Sequence, residues 1–160
     1  MDTVIINYRT PRALLVTAAF IVVVIVVGAI VGISSAPDAW YEGLRKAPWN
    51  PPNWVFAPVW FTLYVLIGIA GSRAFLRNPA GGTTILWLLQ MVLNWAWSPT
   101  WFRLHLAWAA LAVIVVILAL IVAFIAANWR TDRVSAWLFV PYALWVAFAT
   151  SLNLAIAVLN

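Results

Sequence analysis

From Ala13 to Ile33 the chain runs for 21 residues without one charged side chain. That matches the roughly 20 apolar residues a helix needs to cross a hydrocarbon core about 30 Å thick. Lipid offers no partner to an unpaired backbone N–H or C=O, so only helices or closed barrels cross it. The run is continuous rather than alternating with period 2, which excludes the barrel. Four more apolar stretches follow, at 54–76, 83–102, 107–127 and 134–159. The sequence therefore predicts an all-α integral membrane protein, a single bundle of five transmembrane helices with residues 1–160 as one domain. At 21 residues the first run exceeds the roughly 7 to 15 of a secretory h-region, so it reads as a retained helix.

The joins carry turn chemistry, "RNPAGG" at 77–82, "RLHL" at 103–106 and "NWRTDR" at 128–133, leaving 34–53 as the one long connection. Arg9, Arg12, Arg73, Arg77, Arg130 and Arg133 fall on one side of the expected bundle, against Arg45, Lys46 and Arg103 on the other. In a cytoplasmic membrane that asymmetry puts the N-terminus inside and the long loop outside; in an outer membrane the rule does not apply. The formal net charge of +5 is thus a topology signal, and nucleic acid is not an expected partner.

Much chemistry is excluded. There is no Cys, so no disulfide, thiolate metal site or cysteine nucleophile. Asp2, Asp38, Glu42 and Asp132 are too scattered for paired carboxylates, and the single His105 has no second metal ligand, so no metal site is expected. His105 sits in a loop, which favours a structural or solvated role over axial haem ligation. No Asp, Glu, Lys or His lies within the hydrocarbon portion of a span, and Arg73 is close enough to an end to snorkel, which counts against ion pumping.

Polar and aromatic residues concentrate in three spans at steps of three and four: Trp60 and Tyr64; Trp87, Gln90, Asn94, Trp97 and Trp101; Pro141, Trp145, Ala149 and Asn153. Each set occupies one helix face. The first and fourth spans are aliphatic scaffold, with Gly28-x-x-x-Gly32 as a small-residue packing pattern. An interfacial aromatic belt accounts for Trp54, Trp101, Trp108 and Trp129. It does not account for Trp145 or Asn94, each more than about 10 Å from either interface at about 1.5 Å per residue. Two readings stand for these mid-membrane groups, an internal ligand cavity or a packed helix–helix hydrogen bond. The cavity reading fits a large, planar, mostly apolar molecule with an acidic edge. Rings stack on its faces, while Arg45 and Lys46 are candidates to pair with its carboxylates.

Trp40-Tyr41-x-x-Leu44-x-Lys46 followed by Trp49-x-Pro51-Pro52 resembles the loop signature of the TspO/MBR family of tryptophan-rich sensory and translocator proteins. "PVWFTLY" (58–64), "QMVLNWAWSP" (90–99) and "PYALWVAFATSLN" (141–153) resemble that family's second, third and fifth helices. The resemblance runs from about Trp40 to the end, with the first helix matched only in kind. It implies a five-helix bundle, often a homodimer, whose pocket binds porphyrins (protoporphyrin IX, haem-type tetrapyrroles) and synthetic isoquinoline or benzodiazepine ligands. It further implies that Trp60 and Trp145 are pocket tryptophans associated with light-dependent porphyrin breakdown. By the same match Asn94 and Trp97 take third-helix pocket positions, Tyr41 and Trp49 belong to a lid, and Ala149 is the small residue of the fifth helix. The porphyrin enters as ligand or substrate, and no cofactor is expected.

Two departures stand out. Ala47 replaces the family's proline after the lysine, with Pro48 one place later. The chain ends "LAIAVLN" after Asn153, without the Tyr and Arg of the animal sterol motif. A porphyrin-binding receptor or sensor is the leading expectation. A transporter of tetrapyrroles or lipids, and a membrane interaction protein without turnover, are the alternatives.

Overall fold

The computed structural model describes residues 7–160. Among the described residues five long helices form the bundle: α1 (Pro11–Ser34), α3 (Phe56–Arg77), α4 (Gly82–Phe102), α5 (Ala107–Asn128) and α6 (Arg133–Leu159). The long connection is not irregular throughout. It carries a short helix, α2 (Ala39–Gly43), and a single 3-10 turn at Asn53–Val55. Four of the long helices are apolar enough to cross a membrane by length and composition alone. The other, α4, spans 21 residues, but Gln90, Asn94, Ser98 and its tryptophans dilute its apolar average. The protein is an integral, multi-pass membrane bundle.

Local chemistry starts the helices where the turns end. Thr10 Oγ1 accepts the Ala13 N–H at 3.2 Å, and Pro11 occupies the first turn, where its missing N–H is no loss. Around the bundle the contacts run α1–α3–α6–α5–α4 and back to α1, closing a ring. The inward faces of α3, α4 and α6 carry the polar residues.

Small residues bring α1 and α3 together. A Cβ on Gly68 would lie 2.7 Å from the Cα of Ile21, and one on Gly28 would lie 2.2 Å from the Tyr64 ring. Thr17 and Ser72 hydroxyls then meet across the seam at 2.9 Å. Gly32, the second half of the Gly28-x-x-x-Gly32 pattern, has nothing within 4 Å. Only Gly28 of that pair is packing, and its counterparts are on α3. Gly68→Leu is expected to cost about 1 to 3 kcal/mol, because the clash is with backbone and cannot relax by a rotamer change. Gly32→Ala should stay within about 0.5 kcal/mol of wild type. Thermal unfolding in detergent compares the two.

The end opposite the long connection is tied by ions. Arg73 donates from Nε and Nη2 to the two Asp132 oxygens at 3.0 and 2.7 Å, and the Ser135 hydroxyl donates to Asp132 Oδ2 at 2.6 Å. Arg77 donates to Asn128 Oδ1, and the Tyr8 ring lies 3.8 Å from the Arg73 guanidinium carbon. Arg73 thus turns inward to Asp132 rather than snorkelling to water. Burial by itself would raise the Asp132 carboxyl pKa; the Arg73 and Ser135 hydrogen bonds outweigh it and hold the group below the ordinary carboxylate range.

Candidate ligand site beneath the lid

The long connection folds back over its end of the bundle as a lid. Asp38 Oδ1 caps α2 by accepting the Tyr41 N–H at 3.2 Å, and Tyr41 is buried with its ring edge-on to Phe102 at 5.2 Å. Lys46 Nζ donates to the carbonyls of Tyr41, Glu42 and Leu44 at 2.7, 3.1 and 3.3 Å. Its protons therefore close the lid's own turn, leaving Arg45 as the exposed lid cation. The Asn160 side chain bonds both ways with the Arg45 backbone, at 2.9 and 3.1 Å, so the lid and the C-terminus share one end of the molecule. His105 stacks on Trp40 with centroids 4.1 Å apart, and its Nε2 lies 3.1 Å from Asp38 Oδ2. The Tyr41 hydrogen bond, with His105 behind it, holds the Asp38 carboxyl below its usual range.

A polar ladder crosses the bundle under the lid. Tyr64 donates to Asn94 Oδ1 at 3.4 Å, Asn94 Nδ2 donates to the Tyr142 hydroxyl at 2.9 Å, and Tyr142 donates to Gln90 Oε1 at 2.9 Å. Gln90 Nε2 then donates to the Trp87 carbonyl at 2.9 Å. The packed helix–helix hydrogen bond is therefore present at Asn94, joining α3, α4 and α6. One of its N–H groups remains unspent. Asn94→Leu strips Tyr64 of its acceptor and Tyr142 of a donor, with an expected stability loss of about 1 to 3 kcal/mol. Parallel thermal unfolding and ligand titration separate that loss from any change in affinity.

Aromatic rings flank the ladder. Trp60 lies against Tyr64 and Tyr142, with centroids 5.3 and 6.3 Å apart. Trp97 donates to Asn153 Oδ1 at 3.3 Å and is parallel to Trp101, 7° between planes and 6.1 Å between centroids. Trp145 meets Phe56 edge-on at 5.7 Å and Phe148 at 5.6 Å, at the wall of a groove of about 660 Å³ between α3 and α6. Its indole N–H is buried and has no partner among the described residues, and the same holds for Trp95. Trp60, Trp97, Trp145 and Ala149 all pack against one continuous core. Trp49 does not join them; it stays 56% exposed on the lid surface.

Some of the site escaped the sequence reading. Tyr142 is fully buried at the centre of the ladder, whereas Pro141 faces outward into the groove. The steps Tyr142, Trp145, Ala149 and Asn153 carried the signal equally well. Trp101 is 2% exposed and belongs to the aromatic cluster under the lid, not to an interfacial belt. Trp54 and Trp108 are exposed, at 74% and 61%.

The fold and the site define a polytopic helical membrane bundle with a lid latched over an aromatic, neutral hydrogen-bonding interior. The comparisons narrow the class. The model of the TspO/MBR family matches residues 19–159, reaching well into α1. Protein CrtK of Rhodobacter capsulatus is 34% identical, covering 81% of this chain and 83% of its own length. The tryptophan-rich sensory protein of Cereibacter sphaeroides is 34% identical, over 82% and 84%. The human translocator protein is 36% identical, over 71% and 70%. The chain belongs to the TspO/MBR family.

Proposed function

We propose that this protein is a membrane receptor for porphyrins that also promotes their light-dependent breakdown. The observation that carries the reading is the Trp145 indole N–H, buried without a partner among the described residues, on a ring that with Phe148 lines the groove between α3 and α6. A buried donor without an acceptor costs free energy, and an acceptor on a bound ligand relieves that cost. A porphyrin supplies a ring nitrogen or carboxylate for it and a flat face for Trp145 and Phe148, with Trp60 packed behind on Tyr64 and Tyr142. Arg45, exposed at the lid end, is the cation that would pair with a ligand carboxylate near water. Isoquinoline- and benzodiazepine-type ligands fit the same aromatic walls with fewer polar demands. The test is illumination of the purified protein with protoporphyrin IX in air. Bleaching faster than in empty micelles supports the reading, and equal rates reduce the protein to a binder.

A further inference from the structure

A second concavity lies outside the aromatic site, in the half of the membrane away from the lid. It runs between α3 and α6, with Leu66, Leu138 and Pro141 as walls, and opens at Val134, Trp137 and Arg133. It meets the Trp145 groove only at Leu66 and Pro141. From Arg133 to Pro141 is eight residues of helix, roughly 12 Å, against about 15 Å for one leaflet of hydrocarbon. Trp137 is 60% exposed and rests on Trp129 with centroids 5.6 Å apart, which sets the mouth at the level where indoles favour the interface.

Charge selects the occupant. Asp132 is the one acid at this end among the described residues, and it is committed to Arg73 and Arg77. Arg133 has no carboxylate partner among the described residues, and Arg130 is exposed beside it in the same connection. We infer that this groove holds one acyl chain of an anionic phospholipid, with the headgroup phosphate on Arg133. The walls offer an acyl chain only apolar contact, and the cationic mouth repels the ammonium of a zwitterionic headgroup. Basic pockets between membrane helices on the positively charged side recognise anionic headgroups by this combination. The inference is independent of porphyrin binding, because no aromatic of that site lines this part of the groove.

The test uses the full chain purified in neutral detergent, with retained lipid counted by native mass spectrometry. Phosphatidylglycerol and phosphatidylcholine of identical chains are added in competition. Wild type is expected to retain phosphatidylglycerol about fivefold over phosphatidylcholine, the preference one arginine near a headgroup supports. Arg133→Gln should abolish the preference, Arg130→Gln should largely keep it, and Leu66→Trp should fill the groove and reduce retention of both lipids. Equal retention by wild type, or a preference that survives in Arg133→Gln, overturns the proposal. Because the chain has no Cys, Leu138→Cys gives a single thiol, and efficient cross-linking between two copies through it would assign the groove to a protein interface instead.

Discussion

Asp132→Ala is expected to lower the stability of the bundle by about 3 to 4 kcal/mol. Removing one partner of a buried ion pair leaves the other charge without compensation, a loss of about 3 to 5 kcal/mol at enclosed sites. Arg73 keeps 17% of its side chain exposed, which favours the lower end of that range. The same substitution removes the cap of α6, where Asp132 accepts the Ser135 N–H, adding about 1 kcal/mol. Asp132→Asn keeps a capping oxygen and loses the charge, so its cost should fall between wild type and Asp132→Ala. The folded-state pKa of Asp132 is depressed, so its contribution is full above the unfolded carboxylate pKa and is lost as pH falls through the folded value. Thermal unfolding of wild type in detergent should therefore weaken on acidification, and Asp132→Asn should lose most of that slope.

The second large effect concerns photochemistry. Trp145→Phe and Trp60→Phe are each expected to bind protoporphyrin IX within about fivefold of wild type, while losing most of the light-dependent bleaching in air. Phenylalanine keeps much of the stacking area, and the lost N–H is one hydrogen bond of about 1 kcal/mol. What the substitution removes is the indole, the side chain most readily oxidised by an excited ligand in the proposed site. The two positions differ in one respect. Trp145 has a buried N–H without a protein partner, so its replacement relieves a cost in the empty protein, whereas Trp60 acts through its ring contacts with Tyr64 and Tyr142. Stability should accordingly hold or rise in Trp145→Phe and fall slightly in Trp60→Phe.

The helices were legible because membrane crossing imposes length and continuity on every span, and Thr10, Pro11 and Asp132 mark starts that capping chemistry recognises. What one face of a helix does was less legible. Tyr142 and Pro141 are adjacent and lie three and four residues before Trp145, both helical steps, yet one centres the ladder and the other lines the outer groove; only the rotation of α6 against α3 distinguishes them. Trp101 sits at a helix end, where a tryptophan ordinarily meets the interface, but the lid folds back and buries it beside Trp40. Long-range pairing explains the remaining surprises. Asn160 with Arg45, Asp38 with His105 and Arg73 with Asp132 are distant in sequence, and local composition carries no signal for which partners meet. His105 even adopts a left-handed backbone, φ 55°, to reach its place against Trp40.

The aromatic site beneath the lid as a tetrapyrrole site is tested most directly by titrating the purified wild-type protein with protoporphyrin IX in the dark and following tryptophan fluorescence. Saturable quenching at one porphyrin per chain, displaced by an isoquinoline-type ligand, is expected. Quenching that rises without saturation, matches free tryptophan in the same micelles and resists displacement would contradict that assignment.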